Sequence, residues 1–200
     1  TIQSQPRIKT AEVAIEGVNE GAKILDLCAA PGSKTIAMAT LSPTSSLVAN
    51  DLSPYKTDRI KENISRFGLS NIETSVQDAG DFNQEWVDAF DVVLVDAPCS
   101  GLGLLRKKPD IRWNRREEDL PSLACLQEKI VDNAMSYVKA GGRLVYSTCT
   151  YGELENENIA ERINQRTDFQ QEEIDGEEAI HFHPLLEDSD GFFISRFKKI

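Results

Sequence analysis

Five apolar runs of strand length alternate with segments of helical periodicity along most of this chain. That alternation constrains the fold more than any other feature, because strands separated by helices join as parallel neighbours through crossover connections. The runs lie at residues 23–28, 46–51, 72–76, 90–95 and 143–147, and the helical segments at 34–41, 54–67, 118–138 and 153–165. Gly68 and the pair Gly141 and Gly142 stand where helices would stop. Residues from Phe169 onward and residues 192–197 suit a closing hairpin around the charged stretch 170–178. The pattern predicts one α/β domain with a mostly parallel sheet and helices on both faces.

A chain of 200 residues, 40% of them apolar, with 12 Gly and 8 Pro, can bury a core of its own. Its uncharged apolar stretches, such as 92–95, run only a few residues, and no basic start leads into an apolar leader, so a cytoplasmic protein with no membrane partner is expected. Residues 1–22 read as a lead-in: a tail, an amphipathic helix carrying Ile8, Ala11, Val13, Ala14 and Ile15, and a turn at 19–21. Residues 23–200 form the main domain, and so short an approach to the first strand suggests that another domain precedes it. Four separated cysteines without a CxxC pair, and only two histidines, suggest neither a zinc site nor a disulfide framework, so no metal is expected. No obligate protein partner is evident.

The net charge of −11 argues on its face against a nucleic-acid binder, but the charges are segregated. Residues 153–178 hold ten acidic residues against Arg162 and Arg166, and read as a solvated face. Residues 106–116 hold Arg106, Lys107, Lys108, Arg112, Arg115 and Arg116 against Asp110 alone, and Trp113 adds a stacking surface among them. A solvated face and an RNA contact are equally good readings of that run.

The run Ile24-Leu25-Asp26-Leu27-Cys28-Ala29-Ala30-Pro31-Gly32-Ser33-Lys34-Thr35 sets a small-residue turn between a buried strand and a helix. Nucleotide-type cofactors bind at such turns, where small side chains let backbone amides approach. The turn is not GxGxxG, and alone it fits a plain structural turn nearly as well. Asp51 ends the second strand, where a carboxylate can accept from ribose hydroxyls, although taken alone it reads better as a helix N-cap competing with Ser53. Asp78 follows the third strand, placed to accept from an adenine amino group. Three such features at successive strand ends make a site. The leading glycine of a P-loop is replaced by Leu27, so a cofactor with ribose and adenine but no phosphate chain fits better.

After the fourth strand comes Asp96-Ala97-Pro98-Cys99-Ser100-Gly101, and after the fifth Ser147-Thr148-Cys149-Thr150. Both cysteines therefore fall on the sheet edge that carries the cofactor turn. Cys28 and Cys125 read as small core hydrophobes. With these motifs on hand, the chain resembles the NOL1/NOP2/Sun family of RNA 5-methylcytosine methyltransferases along nearly its whole length. The likeness rests on LDLCAAPGSKT, Asp51, Asp78, DAPCSG and STCT, with Asp190-Gly191-Phe192-Phe193 resembling that family's final strand.

The resemblance implies a Rossmann-like class I fold with a seven-stranded sheet, residues 23–200 as the catalytic domain, and S-adenosyl-L-methionine as cofactor. It makes Cys149 the nucleophile and Cys99 the residue that assists release, and it sets Cys28, Ala29, Ala30, Pro31, Gly32, Ser33, Lys34, Asp51, Asp78 and Asp96 around cofactor or base. Lys56 stands where the family usually has Arg, which keeps the charge but loses a bidentate contact. The basic run and Leu126-Gln127 resemble the bacterial Sun (RsmB-like) branch, whose substrate is a cytosine of 16S ribosomal RNA and whose members carry an N-terminal RNA-binding domain. Lys107, Arg112, Trp113, Arg115 and Arg116 are then the expected RNA contacts.

The chemistry agrees with the residue types. Carbon 5 of cytosine is a poor nucleophile, so a thiolate must first add at carbon 6 and make an enamine. An acid near ring nitrogen 3 offsets the charge that develops, and Asp96 is the candidate. Three other readings stand beside this one. A DNA cytosine methyltransferase would use Cys99 as nucleophile and leave STCT without a role, a tRNA substrate stays open, and a cofactor-binding RNA scaffold without turnover would leave both thiols idle.

Overall fold

The computed structural model describes residues 4–186 and 188–200. Its elements run α1 (Gln5–Ile15), β1 (Lys23–Asp26), α2 (Ser33–Leu41), β2 (Ser46–Asp51), α3 (Pro54–Phe67), β3 (Ile72–Val76), β4 (Phe90–Asp96), α4 (Ile111–Asn114), α5 (Asp119–Tyr137), β5 (Val138–Thr148), α6 (Glu157–Asn164), β6 (Phe169–Glu172), β7 (Ala179–Phe182) and β8 (Phe192–Lys199). The sheet order is β3-β2-β1-β4-β5-β8-β6, parallel through β5, with β8 antiparallel to β5. This is the mostly parallel α/β architecture that the alternation of runs requires.

Period-two alternation explains why helices cover both faces. Leu25, Val93, Val95, Leu144 and Tyr146 point to one side and pack with Ile130, Val131 and Ala134 of α5 and Ile159 and Ile163 of α6. Ile24, Leu47, Val92, Leu94 and Val145 point to the other and pack with α1 and α2. Ala11, Val13 and Ala14 of α1 are fully or almost fully buried there, so the lead-in helix is built into the core. Burial of a large apolar side chain such as Ile24 or Leu25 contributes roughly 1.5–3 kcal/mol.

The seventh position in the sheet is shared by two collinear strands. β6 pairs with one end of β8 and β7 with the other, both antiparallel. Between them Asp175 and Gly176 take positive φ in a tight turn closed by the Ile174–Glu177 bridge, so one lane carries two strands and the total is eight. The charged stretch expected between the hairpin strands therefore begins inside β6. A second difference concerns Gly141 and Gly142, which do not stop a helix. α5 ends at Tyr137, and β5 runs through the glycines where its register against β4 shifts. Gly68 does cap α3, in the left-handed region at φ 64°. Among the described residues no helix is long and apolar enough to cross a membrane.

Candidate active site

β1 lies between β2 and β4, and the chain leaves it on opposite sides, so the carboxyl ends of β1, β4 and β5 open onto a crevice at the centre of the sheet. Ligands of open α/β sheets bind at such a switch point. A cleft of about 330 Å³ occupies it, lined by Cys28, Ala30, Asp51, Lys56, Asp78, Asp96, Cys99 and Cys149 together with apolar Leu52, Ala79, Pro98, Leu126 and Ile130. Eight of the residues singled out from sequence thus meet in one place, and the apolar wall is what sequence reasoning missed.

The small-residue turn works through its backbone. The Ala30 N–H donates to Asp51 Oδ2 at 3.0 Å, which ties the first strand's turn to the end of the second. Lys56 Nζ stands 3.3 Å from Asp51 Oδ1. Gly32 takes φ 94°, and a Cβ there would press on Ile60 Cγ2 at 3.2 Å, so glycine is required twice over. Asp78 is exposed at the rim and accepts from the Gly80 N–H at 2.8 Å. Ala29, Pro31, Gly32 and Ser33 shape the turn without lining the cleft.

Lys34 points elsewhere. Buried in α2, its ammonium forms a tight pair with Asp96 Oδ2 and lies 5.2 Å from the centre of the Phe192 ring. Ser147 Oγ donates to the other Asp96 oxygen at 2.9 Å. Asp26 is buried beneath, accepting from Thr35 Oγ1 at 2.6 Å, and burial pushes its carboxyl up to about 7.

The two sulfurs of Cys99 and Cys149 lie 3.3 Å apart, and both thiols are free. The hydrogen bond from Cys99 holds the Cys149 thiol below its usual range, helped by the Lys34 ammonium and opposed by burial and Asp96. The same bond, with burial, pushes Cys99 well above it. The shifts run in opposite directions, which makes Cys149 the more acidic thiol of the pair. Cys28 is pushed up by burial, so of the three thiols that line the cleft only that of Cys149 is shifted downward. Cys125 lies exposed on the outer face of α5, contrary to the core position expected of it.

The turns that carry the thiols are braced from outside the cleft. The Gly103 N–H donates to the Cys149 carbonyl at 3.0 Å and the Gly191 N–H to the Gly103 carbonyl at 2.9 Å. Gln127, Glu155 and Asn156 are buried behind both turns. Glu155 belongs to the acidic run read as a solvated face, and it departs from that reading because its carboxylate faces inward on backbone and amide donors. No local pattern separates it from its exposed neighbours.

The basic run divides. Lys107 pairs with the buried Asp190 at 2.9 Å, and Arg115 donates to the carbonyls of Ser100 and Cys99 at 3.1 and 3.3 Å, so these two brace the site. Arg112, Trp113 and Arg116 are exposed, Trp113 to 81%.

The family described as 16S rRNA methyltransferase RsmB/F matches residues 13–198. Ribosomal RNA small subunit methyltransferase F of Shewanella piezotolerans is 36% identical over 205 residues, covering 96% of this chain and 43% of that protein. Ribosomal RNA small subunit methyltransferase B of Escherichia coli is 37% identical over 187 residues, 90% of this chain and 42% of that one. The chain thus spans under half the length of these curated relatives. NSun6 from Pyrococcus horikoshii, crystallised with SFG, superposes with a TM-score of 0.86 at 29% identity over 98% of this chain and 52% of its own. A methyltransferase homolog from the same organism gives 0.86 at 25% identity, over 100% and 68%. The fold is the Rossmann-like one of S-adenosylmethionine-dependent methyltransferases.

Proposed function

We propose, since this chain belongs to the RsmB/F family of 16S rRNA methyltransferases, that it methylates carbon 5 of a cytosine in small-subunit ribosomal RNA through a covalent adduct on Cys149. The observation that carries this reading is the pair of unlike thiols 3.3 Å apart at the mouth of the cleft. The cofactor family fits the cleft chemically. Asp51 and Asp78 offer acceptors for ribose hydroxyls and an adenine amino group, and Leu52, Ala79, Pro98 and Ile130 offer apolar cover for a flat ring. S-adenosylmethionine, when bound, supplies an electrophilic methyl group.

The chain's own residues do the rest. The Cys149 thiolate adds to carbon 6 of the base, and the electron pair of the ring double bond moves to carbon 5. Asp96, with one oxygen held by Lys34 and the other by Ser147, is assigned to the ring-nitrogen edge. Once Cys149 is bonded to carbon its charge is gone, and with it the main reason Cys99 keeps its proton. With the cofactor bound, carbon 5 would take its methyl group and S-adenosylhomocysteine would leave. Cys99 gives its proton to solvent and, as thiolate, takes the proton from methylated carbon 5, the double bond re-forms, and Cys149 leaves as thiolate. Arg112, Trp113 and Arg116, exposed beside the Cys99 turn, are the surface offered to RNA. A base attacked on its ring face must be unstacked or single-stranded.

Mapping 5-methylcytosine in ribosomal and transfer RNA from cells with and without this protein tests the reading. Loss of a modified position in small-subunit ribosomal RNA is the expected result. Loss confined to transfer RNA would move the substrate class, and an unchanged map would overturn the proposal.

A further inference from the structure

Behind the two thiols, two consecutive buried residues each hold one of the turns. Glu155 is 2% exposed, and its Oε2 accepts from the Ser100 N–H at 2.8 Å and from Gln127 Nε2 at 2.9 Å. Gln127 Nε2 also donates to the Pro98 carbonyl at 2.9 Å, so the residues on both sides of Cys99 are bound to this pair. Asn156, also 2% exposed, accepts from Thr148 Oγ1 at 2.5 Å and donates to the Thr150 carbonyl at 3.3 Å, which binds the residues on both sides of Cys149. The turns are joined directly by Ser100 Oγ and Thr150 Oγ1 at 2.6 Å, and Tyr146 Oη donates to the Glu155 carbonyl at 2.6 Å, fixing the pair to β5.

We infer that Glu155 and Asn156 act as one clamp that sets the separation of the two sulfurs, Glu155 holding the Cys99 turn and Asn156 the Cys149 turn. The proposal rests on the reading of Cys149 as the reactive thiolate. It makes both residues positioning residues, because neither lines the cleft. The physical case is that of pre-organisation. A hydrogen bond between sulfurs is lost with small displacements, and two turns fifty residues apart keep their spacing only if something common to both is rigid. A buried network with nearly all its members satisfied supplies that rigidity, and adjacency in the chain makes the two halves move together. The charged and titratable groups facing Cys149 are Cys99, Asp96, Lys34 and Arg7, and none of them is itself substituted when the clamp is cut.

The test is the pH profile of Cys149 alkylation by iodoacetamide, read by peptide mass spectrometry, with Cys125 as internal reference. Glu155→Ala and Asn156→Ala that melt cooperatively should alkylate Cys149 about tenfold more slowly at pH 7, with the midpoint moved toward that of a free thiol. Glu155→Gln keeps an acceptor for the Ser100 N–H, folds in the same space, and should remain within about threefold of wild type. Binding of S-adenosylhomocysteine serves as a readout of the cleft and should not change. If folded Ala variants keep the wild-type profile, the clamp is wrong while the nucleophile stands. If the midpoint of wild-type Cys149 alkylation lies no lower in pH than that of Cys125, the nucleophile reading itself fails and takes the clamp with it.

Discussion

The half of the crevice formed by β1, β2 and β3 and the half formed by β4 and β5 are built on opposite plans. In the first, a backbone turn meets a buried carboxylate, Asp51, and one at the rim, Asp78; Lys56 and Asp78 are exposed, and Asp51 and Asn50 tie the turn to the second strand through the Ala30 N–H and the Leu27 carbonyl. In the second, every group near the thiols is held by another: Asp96 by Lys34 and Ser147, the Cys99 turn by Arg115, Gln127 and Glu155, the Cys149 turn by Gly103 and Asn156. A half that binds can adjust to its ligand, whereas a half that, on the proposed function, forms and breaks a bond to carbon has to be set beforehand. Substitutions in the second half should therefore cost turnover without cofactor affinity.

The sharpest break is Cys149→Ala. It should lower methyl transfer more than about a thousandfold, because no other thiol in the cleft is shifted downward, and leave cofactor affinity unchanged. Cys99→Ala should do something different in kind: adduct forms but is not resolved, so a protein–RNA species resistant to denaturing electrophoresis accumulates. A Cys149→Ala variant that still forms that species would reverse the roles of the two thiols.

Gly103→Ala attacks the same half through the backbone. A Cβ at this position would lie 2.1 Å from the Gly191 carbonyl oxygen and 2.7 Å from that of Cys149, and both are main-chain atoms. We expect a loss of about 3 kcal/mol in denaturant unfolding, since no side chain can rotate away. The corresponding substitution at Gly141, φ 75° with open space around it, should cost about 1 kcal/mol from backbone strain alone.

Asp26 sits where the halves join, and its effect is on pH dependence. Its carboxyl is raised in the folded state from 3.8 to about 7 by burial. The folded protein then binds a proton that the unfolded chain has already lost, so stability falls as pH rises from about 4 to about 7 and stays lower above that. The gap corresponds to at most about 4 kcal/mol. Asp26→Asn keeps an acceptor for Thr35, so its stability should decline less over this window, by about 2 kcal/mol measured between pH 4 and pH 8. Parallel curves for the two proteins would show that Asp26 stays ionised.

The same division governs what could be read in the sequence. The cofactor half was legible because its residues follow strands directly: LDLCAAPGSKT, Asp51 and Asp78 each stand one turn past an apolar run, and strand ends gather at one edge by topology alone. The two cysteines were legible for the same reason. Lys34, expected around cofactor or base, does not line the cleft itself but pairs with Asp96, which does. Glu155 and Asn156 were illegible because their partners lie in other elements and their neighbours in sequence, Glu153 and Glu157, are exposed. The two-strand lane of β6 and β7 was missed because the turn at Asp175 and Gly176 interrupts a run that charge composition marks as a loop.

The smallest expected effects fall on the basic run, and they separate two residues that sequence treats alike. Trp113 is 81% exposed on α4 and makes no aromatic contact among the described residues, so Trp113→Ala should leave the melting temperature unchanged. If a base stacks on it, RNA affinity falls by about tenfold, the range of one stacking contact. Lys107 offers the converse, because its ammonium pairs with Asp190, which is only 5% exposed. Lys107→Met should lower stability by about 1 kcal/mol, since it leaves that carboxylate buried without its cation, and should change the salt dependence of RNA binding less than Arg112→Ala does. Measuring melting temperature and RNA affinity for the three variants decides whether the run is one RNA-binding surface or, as the geometry argues, a brace and a surface side by side.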